Sequence, residues 1–481
     1  MKRNSRYEKL FREEKGRINK PFGLRCNIAL VFPDRYEPAM SNLGFQTVYR
    51  YLNSFADINC ERFFYDKDIP LSFENRRKLH EFDVIALSIP FEPLFVSAMM
   101  FLYSHGIPID RSHRSNSHPL IIAGGIATCI NPGPLEGCID YIIPGDIEDT
   151  GSLLIESLLQ GSNTNERLDN ITMLMADKTG FTRPKSGREC VARHSQIITP
   201  HTTLRDKLLI EVTRGCPYRC TFCFIGNQSL PFQQASWNCV RDILLQHETR
   251  NLGIISSAVG SWKGLDEFIS YAFEQRYRVS FSSLRMDEIK DSVLDILHYS
   301  GQQSLTLAPE TGDEELRFSL NKNIVNEKIF SIVEKAFYKG LQQVKLYIMV
   351  GLPGESMKTM ESTLLFFHKL DILVKDCSRI SGKAKKILVK MGIFVPKPMT
   401  TLADTPLMDE TALKNIFEYY RDNQKHFTSL SFNYDSIRSY YLQFLLSNYH
   451  GSLMSFFQEW CAGNRSQKSL INEYLGRLSH V

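Results

Sequence analysis

Short apolar runs alternate with stretches of helical period along this chain, and the series runs twice. Between Cys26 and Leu159 the runs "NIALVF", "FDVIALSI", "PLIIAGG" and "DYIIPGD" read as strands. Between them, "SNLGFQTVYRYLNSF" sets Leu43, Val48, Leu52 and Phe55 at helical spacing behind Ser41 or Asn42 as cap. "LFVSAMMFLYSHG" predicts a helix ending at Gly106, and "TGSLLIESLLQG" a helix after the last strand. Strands that alternate with helices predict a doubly wound parallel sheet, and continuous apolar strands suit one covered on both faces.

Residues 161–205 are polar and weakly patterned, which predicts a linker. A second series begins near Lys207 with "KLLIEVTRG", "LGIISSAV", "YRVSFSSLR", "QSLTLAPE", "VKLYIMVGLP" and "KILVKMGIFV". Amphipathic segments such as "EKIFSIVEKAFYKG" separate them, so six strand–helix units of a partial barrel are expected. In such barrels chemistry sits at the C-terminal strand ends. Beyond Thr401 the chain turns aromatic and helical. The expected organisation is therefore a tail (1–25), a doubly wound domain (26–160), a linker (161–205), a partial barrel (206–400) and a helical extension packed on the barrel (401–481).

The length of 481 residues fits two or three domains, and 43% apolar with 23% charged residues is the balance of a soluble globular protein. A net charge of +4 gives no reason to expect nucleic acid as an obligatory partner. The charged start has no apolar core and no stretch reads as a membrane span, so a cytoplasmic protein without membrane contact is expected.

Eleven cysteines in such a chain argue against a disulfide framework, and only one group is dense. In "RGCPYRCTFCF", Cys216, Cys220 and Cys223 follow the first strand of the second series directly. A structural zinc site closes with four protein ligands, yet Cys239 lies sixteen residues beyond Cys223 and His201 fifteen before Cys216. Three thiolates on a [4Fe–4S] cluster fill three corners and leave the fourth iron open. Gly215 and Pro217 favour an irregular loop able to wrap a cluster. The remaining cysteines read as small buried apolar residues.

This run, with Phe222 before the third cysteine, resembles the signature of radical S-adenosylmethionine (SAM) enzymes. The resemblance implies a [4Fe–4S] cluster on the three cysteines, with SAM chelating the open iron. It further implies one-electron cleavage to a 5′-deoxyadenosyl radical that activates a C–H bond. "LTLAPETG" resembles the fourth-strand segment that holds the ribose, with Glu310 as the candidate; an N-cap or first-turn acid opening the next helix reads equally well. "YIMVGLPGES" resembles the fifth-strand segment against adenine, with Gly351 and Pro353, although a plain strand-to-helix turn looks much the same. Val395 and Pro396 in "FVPKPMT" fit the adenine edge or a barrel corner. Arg285 suits the cofactor carboxylate or an acidic substrate group, or else a rim ion pair with Asp287 or Glu288. Arg317 and Lys322 in "ELRFSLNKN" are further cationic candidates, although a solvated helix face is the favoured reading. Tyr218, Phe224, Trp237 and Trp262 read either as walls of a reaction cavity or as core.

The first domain resembles the cobalamin-binding-like domain that precedes many of these enzymes, through Ser88 in "LSIPFE", Gly124 and Gly125 in "IIAGG", and "IIPGDIEDT". The DxHxxG pattern that supplies an axial histidine is absent; the loop reads "PDRYEPAMSNLGFQ". Either cobalamin binds without a protein histidine, or the domain has lost it and serves as a scaffold or substrate lid. A group of radical proteins with the same domain order shares Met40–Gly44, Ser283–Arg285, Ala308–Asn323 and Val344–Pro353, and the resemblance covers roughly residues 26–400. It implies a reductant such as flavodoxin or ferredoxin. The substrate, whether small molecule, peptide or RNA, is not selected by any motif. Cobalamin-assisted methyl transfer is the favoured subtype, since the extra cysteine triplet of sulfur-inserting enzymes is missing. The alternative is a non-catalytic iron–sulfur module that senses redox state.

Overall fold

A computed structural model describes residues 2–176, 192–228, 231–282 and 284–478. The chain forms two compact units. The first joins residues up to 176 with 193–208 and 441–478; the second is Leu209–Tyr440.

The first unit is built on five parallel strands: β1 (Cys26–Phe32), β2 (Ile58–Phe64), β3 (Val84–Ser88), β4 (Leu120–Gly124) and β5 (Tyr141–Ile142). Their order, β2-β1-β3-β4-β5, is doubly wound. The direction of winding reverses at β1 and β3, where a crevice opens beyond the strand ends. The helix Leu43–Asn53 is capped by Asn42, whose side chain accepts the Phe45 N–H at 2.9 Å.

β2, "INCERFF", was not expected, because its charges hide it. Every residue in it is buried. Arg62 is fully enclosed and pairs with Glu14 at 2.6 Å and Glu74 at 2.6 Å, while Glu61 accepts from Asn59 and Asn75. Buried ions persist only when matched this closely.

The boundaries differ from expectation at three places. The tail 1–25 holds a helix, Lys2–Glu13, and brings Leu10 and Glu14 into the core. The linker carries a helix, Thr164–Leu174, with Ile171 and Met175 in the same core; residues 177–191 lie outside the described residues. The extension divides: residues 441–478 belong to the first unit, and "LSFNY" is a strand of the second.

The second unit contains the six expected strands and a seventh: β6 (Leu208–Glu211), β7 (Asn251–Ile255), β8 (Arg278–Phe281), β9 (Ser304–Glu310), β10 (Gln343–Val350), β11 (Lys386–Ile393) and β12 (Leu430–Tyr434). β8, β7 and β6 are neighbours in one sheet, and β9-β10-β11-β12 form a parallel second sheet. Burial along β10 alternates: Val344, Leu346, Ile348 and Val350 are buried, and their neighbours are not. The buried face lies under the long helix Met357–Ser381, whose Phe367 meets Phe432 of β12 at 5.4 Å between ring centroids. No helix among the described residues is long and apolar enough to cross a membrane.

Candidate iron–sulfur and cofactor site

The three dense cysteines lie just past β6. Thr213–Arg214 pairs antiparallel with Gln233–Gln234, closing the base of a loop that carries all three. Gly215 turns the chain with φ +74°, in the left-handed region. Asn227 pins the far side, donating from Nδ2 to the carbonyls of Cys220 at 2.9 Å and Cys223 at 2.8 Å. Gly226 has no room for a side chain, since a Cβ there would lie 2.3 Å from the Tyr218 carbonyl oxygen.

The segment after β9 clamps the same loop. Asn321 donates to the Arg219 carbonyl at 2.7 Å, and the Thr221 N–H reaches Leu320 O at 3.0 Å. Phe222 packs against an apolar group of Leu316, Leu320, Leu352 and Phe394, as does Met349. The cysteine loop, the Glu310 segment, the end of β10 and the end of β11 therefore meet around one place.

Cys220 is buried, and Cys216 and Cys223 are half-buried. Burial pushes the Cys216 and Cys223 thiols up, and neighbouring cysteines add to it; N–H groups of Tyr218, and of Ile225 and Gly226, pull the other way. Three sulfurs that feel one another, held with backbone donors around them, fit a cluster that replaces their protons with iron. Among the described residues, no three His, Cys, Asp or Glu side chains converge as for a single ion. A cluster would set each thiolate on a different iron.

Arg285 lies beside the loop. Its Nη1 is 3.7 Å from Cys220 Sγ, its guanidinium sits 3.7 Å over the Tyr218 ring, and its Nε pairs with Asp287 at 2.8 Å. Of the two expected acids, only Asp287 takes it; Glu288 accepts from Tyr218 and Ser261 instead. Ser283, quoted with Arg285, lies outside the described residues.

Glu310 is buried with φ +70°, an unusual backbone for a residue with a side chain. Its carboxylate meets Lys322 Nζ at 2.6 Å and bears electrostatically on Cys223. It is not the cap of the following helix: Asp313 takes that position, accepting the Leu316 N–H. Arg317 and Lys322 are not a solvated face. Arg317 is fully enclosed, donating to carbonyls of Pro309, Thr311 and Ile324 and to Asn326.

Gly351 has φ +77°, and its N–H is accepted by Glu355 Oε2 at 2.5 Å. Glu355, four residues on, was not singled out from the sequence; burial raises its carboxyl to about 7 against the pull of the Gly351 and Leu352 N–H groups. Pro353 and Val395 are half-buried near the ends of β10 and β11. Trp262 and Phe224 are core, with the Trp262 Nε1 donating to Ala235 O at 2.7 Å, and Trp237 packs edge-on against Tyr271.

In the first unit a cavity of ≈ 320 Å³ opens at the switch point, lined by Asn42, Thr47, Ser88, Gly124, Gly125 and Glu148 among others. Among the described residues no histidine lines it. Gly125 is fixed by the chain itself: with φ +123°, a Cβ would fall 2.5 Å from the Ile89 carbonyl oxygen. Arg193 at the cavity pairs with Asp146 at 3.6 Å and with Glu148.

Residues 210–367 match the radical SAM superfamily, and residues 44–181 match the N-terminal region of radical SAM proteins. An uncharacterized protein, MJ0966, of Methanocaldococcus jannaschii is 24% identical over 380 residues, 78% of each chain. An uncharacterized methyltransferase, PH0819, of Pyrococcus horikoshii is 23% identical over 259 residues, covering 49% of this chain and 54% of that one. Among solved structures, the cobalamin-dependent radical enzyme OxsB with aqua-cobalamin and S-adenosylmethionine bound aligns over 84% of this chain and 58% of its own, at 15% identity and TM-score 0.46. The chain thus spans less than two thirds of the length of that structure and of PH0819.

Proposed function

Because the chain is an enzyme of the radical SAM superfamily, we propose that Cys216, Cys220 and Cys223 hold a [4Fe–4S] cluster whose open iron takes S-adenosylmethionine. Bound there, the cofactor and the reduced cluster would supply a 5′-deoxyadenosyl radical for abstraction of hydrogen from an unactivated C–H bond. The observation that carries the reading is the loop itself: three thiols, braced by Asn227 and Asn321, with no fourth cysteine or histidine in the run.

The chain's residues bind, orient and exclude water. Arg285 hydrogen-bonds the Cys220 sulfur and brings positive charge for the cofactor carboxylate. Glu310, oriented by Lys322, accepts the ribose hydroxyls. Gly351, Pro353 and Val395 present backbone and small apolar surface to adenine, and Glu355 holds the Gly351 turn. Phe222 shields the loop from water.

The first unit binds cobalamin without a protein histidine, using the cavity at Ser88, Gly124 and Gly125 for the cofactor's nucleotide tail, and the reaction class is methyl transfer. A cytosolic flavodoxin or ferredoxin would supply the electron.

The test is anaerobic reconstitution with iron and sulfide, then reductant and S-adenosylmethionine. Formation of 5′-deoxyadenosine above a Cys216/Cys220/Cys223→Ala variant supports the reading; cluster binding without cleavage would support a redox sensor instead. The visible spectrum of protein grown with the vitamin decides cobalamin separately.

A further inference from the structure

The face of β9–β12 opposite the long helix is open, and it is not apolar. Parallel strands in α/β proteins are normally covered by apolar side chains on both faces. Here the helix-side face of β10 and β11 is apolar, while the other face of the sheet carries Thr306, Lys345, Tyr347, Lys390 and Asn433. Tyr347 is 43% exposed, so this face reaches solvent rather than a packed interior.

The register sets these residues in order. Tyr347 lies beside Lys390, and Lys390 beside Asn433. Lys345 lies beside Leu388, diagonal to both Lys386 and Lys390. Three lysines thus share one sheet face, where like charges on adjacent strands repel. Asp435 is set against them, 3.3 Å from Lys390. Among the described residues Lys345 has no acidic partner.

Met349, on the same face, packs against the apolar group that also receives Phe222 of the cysteine loop. The face therefore runs from the cluster loop downward. At a rise of about 3.3 Å per residue, Tyr347 stands about 7 Å and Lys345 about 13 Å below Met349.

We infer that this face seats the substrate, and that the substrate is anionic: a carboxylate or phosphate held by Lys345 and Lys390, on the sheet face that runs down from the cysteine loop. The inference rests on the radical-enzyme reading for the word substrate; the anion site stands on the lysines alone. An anion relieves the lysine repulsion, and the Tyr347 and Thr306 hydroxyls are placed to donate to it.

The test uses the reconstituted protein and two probes, inorganic phosphate and acetate, with lysine acetylation read by mass spectrometry. Either anion is expected to slow acetylation of Lys345 and Lys390 several-fold, and of Lys369 on the exposed outer helix not at all. Stronger protection by phosphate assigns a phosphoryl group, by acetate a carboxylate. Lys345→Gln should weaken phosphate binding measured by calorimetry about tenfold, roughly 1.4 kcal/mol, and Lys345→Arg should restore most of it. Equal protection of Lys369, or phosphate affinity unchanged in Lys345→Gln, overturns the anion site. Selective protection in a protein that never forms 5′-deoxyadenosine leaves the site standing and removes the radical-enzyme reading.

Discussion

The two units use parallel strands in opposite ways. In the first, β1 is buried at all seven positions, so both faces are structural and the working surface is left to the strand ends. In the second, β10 and β11 alternate, so one face is structural and the other is free for chemistry. An alternating parallel strand thus marks an open working face, and a continuous apolar one marks a crevice at its tip.

Mutations should separate these cases. The largest expected loss is at Arg62. Its removal strands Glu14 and Glu74 in the first core, and Arg62→Ala should cost about 3–5 kcal/mol in urea unfolding of the first unit. A loss below about 1 kcal/mol would mean that water reaches the triad.

Next comes the contrast within β10. Leu346→Ala on the buried face should cost about 2–5 kcal/mol, whereas Tyr347→Ser on the open face should stay within about 0.5 kcal/mol. Similar losses at both positions would show that the open face is packed after all, and would remove the distinction between the units.

A smaller effect is pH-dependent. The Glu355 carboxyl is raised from 4.5 to about 7, so the folded protein holds this proton more tightly than the unfolded chain. The resulting stability is complete below the unfolded value and is lost as pH rises toward and through 7. The urea midpoint of wild type should therefore fall between pH 5 and pH 8, and Glu355→Gln should flatten that slope. An unchanged slope in the variant would place the titration elsewhere.

Much of this was legible because it is local. The cysteine spacing, the Asn42 cap and the apolar strands each depend on a few adjacent residues. What escaped depends on distant partners. β2 reads as polar until Glu14 and Glu74 arrive to match Arg62. Arg317 and Lys322 look solvated in "ELRFSLNKN", yet their partners are carbonyls across a turn and a carboxylate twelve residues back. The strand "LSFNY" was hidden among helical neighbours because its pairing with β11 bridges about forty residues. Likewise, alternation in "VKLYIMV" signals a strand but not which face the lysine shares with the cysteine loop.

The central claim is an iron corner left open by a three-cysteine loop. Electron paramagnetic resonance of the reduced, reconstituted protein tests it most directly, with and without S-adenosylmethionine. The account predicts a cluster signal that shifts when the cofactor is added and disappears in the triple-alanine variant. A signal unmoved by saturating cofactor would contradict it, because it would mean the fourth iron is already closed.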